Sequence, residues 1–253
     1  MTSSTVDPAT VSLDVPATSR ARANRRRVAT HQSVPALPSL VVPQQVAMTN
    51  TRVLVLRHGQ SEWNALGRWQ GQANPPLTSL GIQQAADAAG LLATECPPFD
   101  LVITSKLERA HLTGQTIAQI LGVPTVHVDN RWQENDAGEW QGLTPDEISV
   151  QWPGYLESGR RPPHFETEES TNQRVGAALN NIAEENPGKC ILVISHGGVL
   201  RLLRAHLGGP DQRFPNLSGS WFEHNESNGW HLGSLLYPLQ LIADDLRNNG
   251  AVE

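Results

Sequence analysis

From Arg52 onward the hydrophobic positions of this chain alternate between two patterns. Val53-Leu54-Val55-Leu56, Leu101-Val102-Ile103 and Ile191-Leu192-Val193-Ile194 are short, unbroken apolar runs, the form taken by strands buried on both faces. Thr125-Val126-His127-Val128 is a weaker strand candidate. Between these runs, apolar residues recur at helical spacing. Thr78 is placed to cap a helix whose inner face is Ile82, Ala85, Ala86, Ala89 and Ala93. A second helix is predicted from about Leu107 to Leu121, stopped by Gly122. Thr144-Pro145-Asp146-Glu147 is a capping box with proline at the first helical position, so a short helix should follow it. A longer helix is predicted from Ser170 to about Glu185, and another from Val199 to Leu207. Strand and helix in alternation predict an α/β fold, a three-layer α/β/α sandwich around a mostly parallel sheet. The pattern leaves strand order open and shows no repeat of fixed period.

Residues 1–49 break the pattern. They are rich in Ser, Thr, Pro and Ala, hold no aromatic residue, and carry five Arg against two Asp. Such a segment buries too little apolar surface to offset its ordering entropy, so 1–49 is expected to be a disordered leader ahead of a folded domain at 50–253. Its Arg20–Arg27 stretch reads as a tether or targeting element, or more simply as a leader without a role. The net charge of −6 argues against a nucleic-acid surface and requires a locally positive pocket for any anionic substrate. Cys96 and Cys190 make no disulfide framework, and Cys190, heading an apolar run, reads as a buried small hydrophobe. No Cys/His spacing suggests a zinc site, so no metal and no cofactor is expected. No apolar stretch approaches a membrane span, and Pro35, Pro38 and Pro43 interrupt the only candidate for a secretory signal, which makes the cytoplasm the default location. Oligomeric state is open, with a homodimer among the options.

Chemistry gathers where the strands end, the edge at which parallel α/β sheets bind ligands. Val53–Leu56 runs into Arg57-His58-Gly59-Gln60-Ser61-Glu62-Trp63-Asn64; Leu101–Ile103 into Thr104-Ser105 and a helix carrying Arg109; Ile191–Ile194 into Ser195-His196-Gly197-Gly198. If these strands are neighbours, two histidines and two arginines converge. Arginine matches phosphate oxygens bidentately and keeps its charge. A neutral histidine can carry a phosphoryl group covalently near pH 7. A second histidine, protonated, would add charge where it develops on the equatorial oxygens. Glu134, in the loop after the third strand candidate, is the natural proton donor to the leaving oxygen, with Asp136, Glu139, Glu166, Glu168 and Glu169 as rival carboxylates. A small-molecule phosphate ester is the expected partner. Arg160-Arg161 reads either as a contact to a second acidic group of the substrate or as a solvated basic turn.

Arg57-His58-Gly59 with Ser61 and Asn64, followed by Gly67-Arg68-Trp69-Gln70-Gly71, Pro76-Leu77-Thr78, Ser105-Lys106-Leu107-Glu108-Arg109-Ala110, Glu134, Glu169-Ser170 with Arg174, and Ser195-His196-Gly197-Gly198, resembles the histidine phosphatase superfamily, in its phosphoglycerate-mutase-like branch. The likeness runs from about Arg52 to Leu207, with a weaker echo from Asn216 to Phe222. It implies a phosphoglycerate-mutase-like fold, with His58 as the phosphorylated nucleophile and Arg57, Arg109 and His196 binding the phosphoryl group. It also implies Glu134 as acid and base, and Ser61, Asn64, Gln70, Gly71 and Gly197 around the phosphate, with no metal in the core chemistry. Glu134-Asn135-Asp136-Ala137-Gly138 lacks the Arg and Tyr that mutases of the family carry beside the acid. Gly198 stands where mutases tend to have Asn, and the segment from the acid to His196 is shorter than theirs. These departures favour a phosphatase over a mutase. A catalytically silent binding module is disfavoured because nucleophile and acid are both present.

Overall fold

The computed structural model describes residues 50–240; the leader expected at 1–49 lies outside them. The elements in chain order are β1 (Thr51–Arg57), α1 (Glu62–Ala65), α2 (Ser79–Glu95), β2 (Leu101–Thr104), α3 (Glu108–Leu121), β3 (Val126–Val128), α4 (Pro145–Gln151), α5 (Tyr155–Ser158), α6 (Glu168–Glu185), β4 (Cys190–Ser195), α7 (Gly197–His206), β5 (Gly219–Asn225) and β6 (Gly229–Leu236). The six strands form one sheet in the order β3-β2-β4-β1-β5-β6. β3, β2, β4 and β1 are mutually parallel, and β5 is antiparallel to both its neighbours.

The unbroken apolar runs are explained by burial on two sides. Along β1, Val53 and Val55 enter one core while Leu54 and Leu56 enter the other; along β4, Ile191 and Val193 divide likewise from Leu192 and Ile194. The first core is closed by α6 and α7 through Val175, Leu179, Ile182, Val199 and Leu203. The second is closed by α2 and α3 through Ala85, Ala89, Leu92, Ile117 and Ala118. A fully buried leucine such as Leu54 or Leu192 contributes about 1.5–3 kcal/mol relative to an exposed one.

The helix signals act as expected: Thr78 Oγ1 accepts from Gly81 N at 3.0 Å, Gly122 ends α3 in the left-handed conformation, and Thr144 with Glu147 forms the capping box of α4. The inner face of α2 is rotated from the expected one. Ala85, Ala88, Ala89 and Leu92 face the sheet, whereas Ile82 is 44% exposed and Ala93 is also exposed, because small residues let the helix lie close. Cys190 is half-buried at the head of β4, and burial pushes its thiol up to about 11. The β5–β6 hairpin and the short helices α1 and α5 have no counterpart in the sequence pattern described above. Among the described residues, no helix is long and apolar enough to cross a membrane.

Candidate functional site

β1 and β4 are adjacent, yet the chain leaves β1 toward the face covered by α2 and leaves β4 through α7 on the other face. The crevice between such strands is where an α/β sheet opens to a ligand. His58 follows β1 and His196 follows β4, 2% and 0% exposed, with ring centroids 5.1 Å apart. His58 Nδ1 lies 2.6 Å from Gly59 O, and Arg109 Nε donates to His58 Nε2 at 3.2 Å. A carbonyl can only accept, so the proton sits on Nδ1 and Nε2 keeps the lone pair. Burial first, then the charges of Arg109 and Arg57, hold His58 well below the usual histidine range. His196 is held low by burial and by Arg109, His58, Arg57 and Arg174, and neither of its ring nitrogens has a hydrogen-bond partner among the described residues. In the free protein His196 is therefore neutral, unlike the protonated second histidine the sequence suggests. With two guanidinium groups beside it, a proton there needs an arriving anion.

Arg109 is fully buried at the start of α3, its Nη1 donating to Ala73 O at 2.7 Å and its Nη2 to Gly71 O at 2.9 Å. Gly71 has φ 50°, in the left-handed region, where a Cβ would lie 2.6 Å from Ala137 N. Burial lowers Arg109 to about 10, with Glu134 opposing and Arg57 adding to the shift, so it stays charged at neutral pH. Asn74 Oδ1 caps the same helix by accepting from Glu108 N at 2.7 Å. Arg57 Nη1 donates to Phe214 O at 2.7 Å, and its side chain lies against Gly197. Opposite the arginines, Glu134 sets its carboxylate on the N-terminus of α7: Oε2 accepts from Gly198 N at 3.1 Å and Oε1 from Val199 N at 3.2 Å. Of the rival carboxylates, Glu166 is tied to Arg174 and Asp136 to Gly138 N. Two arginines and two neutral histidines facing one carboxylate leave a pocket of net positive charge, which suits a phosphate dianion.

A family model described as the histidine phosphatase superfamily (branch 1) matches residues 53–232. The chain belongs to that superfamily. It is 32% identical over 231 residues to the glucosyl-3-phosphoglycerate phosphatase of Mycobacterium tuberculosis (strain H37Rv), a match covering 79% of this chain and all of that one. It is 29% identical over 161 residues to the phosphatase PhoE of Bacillus subtilis (strain 168), covering 64% of this chain and 79% of that one. The structure of a mycobacterial glucosyl-3-phosphoglycerate phosphatase with VO3 superposes with a TM-score of 0.65 at 28% identity, over 72% of this chain and 97% of that one. The protein is thus a phosphatase of the phosphoric monoester hydrolase class with the phosphoglycerate-mutase-like fold.

In this histidine phosphatase the contacts above bring seven of the ten expected site positions, His58, Arg57, Arg109, Gly71, Gly197, Glu134 and His196, together at the crevice. Ser61 supports rather than faces it: its hydroxyl donates to Gln70 Oε1 at 2.8 Å and accepts from Asn64 N, in the capping box of α1. This leaves the side-chain amide nitrogens of Asn64 and Gln70 without partners among the described residues. Arg160 stacks on Tyr155, and Arg161 lies over Trp140 and Phe165; neither makes a polar contact with a site residue. Sequence reasoning missed the part played by the loop before β5. Asn216 Nδ2 donates to His58 O at 2.9 Å and Asn64 Oδ1 at 3.1 Å, Arg57 N donates to Ser218 O at 2.9 Å, and Leu217 N to Arg57 O at 3.1 Å. The sequence likeness around Asn216 marked this loop without saying what it does. Among the described residues, no three or more His, Cys, Asp or Glu side chains are grouped to hold a metal ion.

Proposed function

We propose that this phosphatase cleaves a small phosphate monoester in two steps through a phosphohistidine on His58, without a metal ion, and that the cell interior is its place of work. The observation that carries the reading is the His58 tautomer: Nδ1–H is committed to Gly59 O, so Nε2 is the nucleophilic atom, and it faces Arg109 and His196. In the first step the Nε2 lone pair attacks phosphorus as the P–O ester bond breaks, and Glu134, which takes up a proton as the phosphate ester binds, gives that proton to the departing alkoxide. Arg109 must release Nε2 for this, and its freed N–H turns to a phosphoryl oxygen. Arg57, Arg109 and His196 hold the equatorial oxygens, while Gly59 O offsets the positive charge growing on the His58 ring. In the second step Glu134, now a carboxylate, takes a proton from water as that water attacks phosphorus; the P–N bond breaks and inorganic phosphate leaves.

The residue after the acid is Asn135, and Gly198 follows His196-Gly197, so the groups with which a mutase retains its intermediate are not present at these positions. The mycobacterial relatives make a glycosylated phosphoglycerate the first ester to try. The test is phosphate release from a panel including that ester and 3-phosphoglycerate, by wild type and His58→Ala, with and without chelator. Wild type should release phosphate at the same rate in chelator, and His58→Ala should be inactive yet melt as a folded protein. Variant activity within about tenfold of wild type excludes the covalent route, and isomer formation with little free phosphate would mean a mutase.

A further inference from the structure

Arg174 projects from α6 with its side chain 17% exposed, and each of its five N–H groups meets an acceptor. Nε and Nη2 donate to the two oxygens of Glu166, both at 2.8 Å. Nη1 donates to Arg131 O and Gln133 O, both at 2.7 Å, and Nη2 also reaches Glu134 O at 3.3 Å. Three of these acceptors are carbonyls of the segment that carries Glu134. Glu166 holds the far side of that segment: its Oε2 accepts from Asp136 N at 3.3 Å, and its own N donates to Asp136 O at 3.0 Å. The backbone is gripped on either side of Glu134. This segment has no strand or long helix, only short 3-10 turns at Asn130–Trp132 and Gly138–Trp140, so its shape depends on such bonds.

We propose that Arg174, paired with Glu166, is a positioning residue for Glu134: it fixes the point at which the acid delivers its proton and makes no contact with substrate. The inference rests on the acid–base reading of Glu134. A lysine at 174 keeps the charge but has three donors and no planar fork, so it cannot reproduce five directed bonds. The loss it causes should therefore depend on how much the leaving group needs a proton. An alkoxide leaves only when protonated; p-nitrophenolate is a weak enough base to leave almost unaided.

The experiment compares kcat/KM, which reports steps up to departure of the alcohol, for p-nitrophenyl phosphate and for the best alkyl phosphate of the panel. Wild type, Arg174→Lys, Glu166→Gln and Glu134→Gln are measured side by side. The ratio of the two substrates within one preparation does not depend on the fraction of folded protein. Arg174→Lys should lower the alkyl value by on the order of 10–100-fold and the aryl value by no more than about threefold, with Glu166→Gln following and Glu134→Gln showing the same bias more strongly. An equal loss on both substrates, or no loss on either, overturns the positioning role while leaving Glu134 as the acid. A Glu134→Gln variant without leaving-group bias overturns the acid reading itself, and this inference with it.

Discussion

At Gly198 a single hydrogen decides where the acid can sit. A Cβ at this position would lie 2.6 Å from Glu134 Oε1 and 2.9 Å from Asn135 Oδ1. The carboxylate occupies the space a side chain would fill, and the backbone N–H of the same residue donates to it. Gly198→Ala should therefore push Glu134 off the N-terminus of α7. The expected loss in kcat/KM on alkyl phosphates is on the order of 10–100-fold, with a melting temperature close to that of wild type. Undiminished turnover would mean that the acid works from some other position. The departure from mutase sequences at this glycine thus has a physical content: a larger residue here and this placement of the carboxylate are mutually exclusive.

The elements differ in how openly the sequence declares them. Val53–Leu56 of β1 and Ile191–Ile194 of β4 are buried on both sides of the sheet, so each of these positions is apolar, and the strands are legible as solid runs. His58 and His196 follow from them, each the first residue beyond its strand, and Arg109 stands at the start of α3, just after the apolar run of β2. β5 and β6 are less visible: Trp221 and Phe222 are flanked by Gly219, Ser220, Glu223 and His224, which break any simple apolar run. The signal was a turn, Asn228-Gly229, with Gly229 at φ 69° and Asn225 Oδ1 accepting from the amides of Ser227 and Asn228. What no pattern carries is which loop touches which. The grip of Asn216 on His58 and of Arg174 on the acid segment depends on approaches across the fold. If the loop before β5 supports the site as an element, Asn216→Ala should cost about 1–3 kcal/mol by leaving His58 O unpaired. It should also reduce turnover on aryl and alkyl esters alike, in contrast to Arg174→Lys. Denaturant melts together with the two-substrate assay would show this, and an unchanged kcat on both would deny the loop any role beyond packing.

For the whole molecule, the buried histidine pair links chemistry to acid stability. Both rings have folded values below the ordinary 6.5, so the unfolded chain takes up protons that the folded one refuses. Stability should be full above about pH 6.5 and fall as pH drops below it, by at most about 1.4 kcal/mol per histidine per pH unit. Melting temperatures between about pH 7.5 and 5 should show the decline, and added phosphate should flatten it by supplying the counter-charge. A His58→Asn variant should fall less steeply, since it removes one of the two titrating rings. A slope identical to wild type would mean that other groups cause it.

The contact between Arg57 and Phe214 spans 157 positions of the chain. β1 is translated among the first of the described strands, yet one of its two neighbours in the sheet, β5, is among the last. Until that hairpin emerges from the ribosome, β1 has an open edge, and β4 alone holds the backbone of Arg57 and His58, without the bonds that the loop before β5 adds. In synthesis this pairing comes late, because among the described strands only β6 follows β5. A growing chain therefore carries its paired histidines and arginines before the loop that braces them, and the brace is closed off by nearly the last of the described residues.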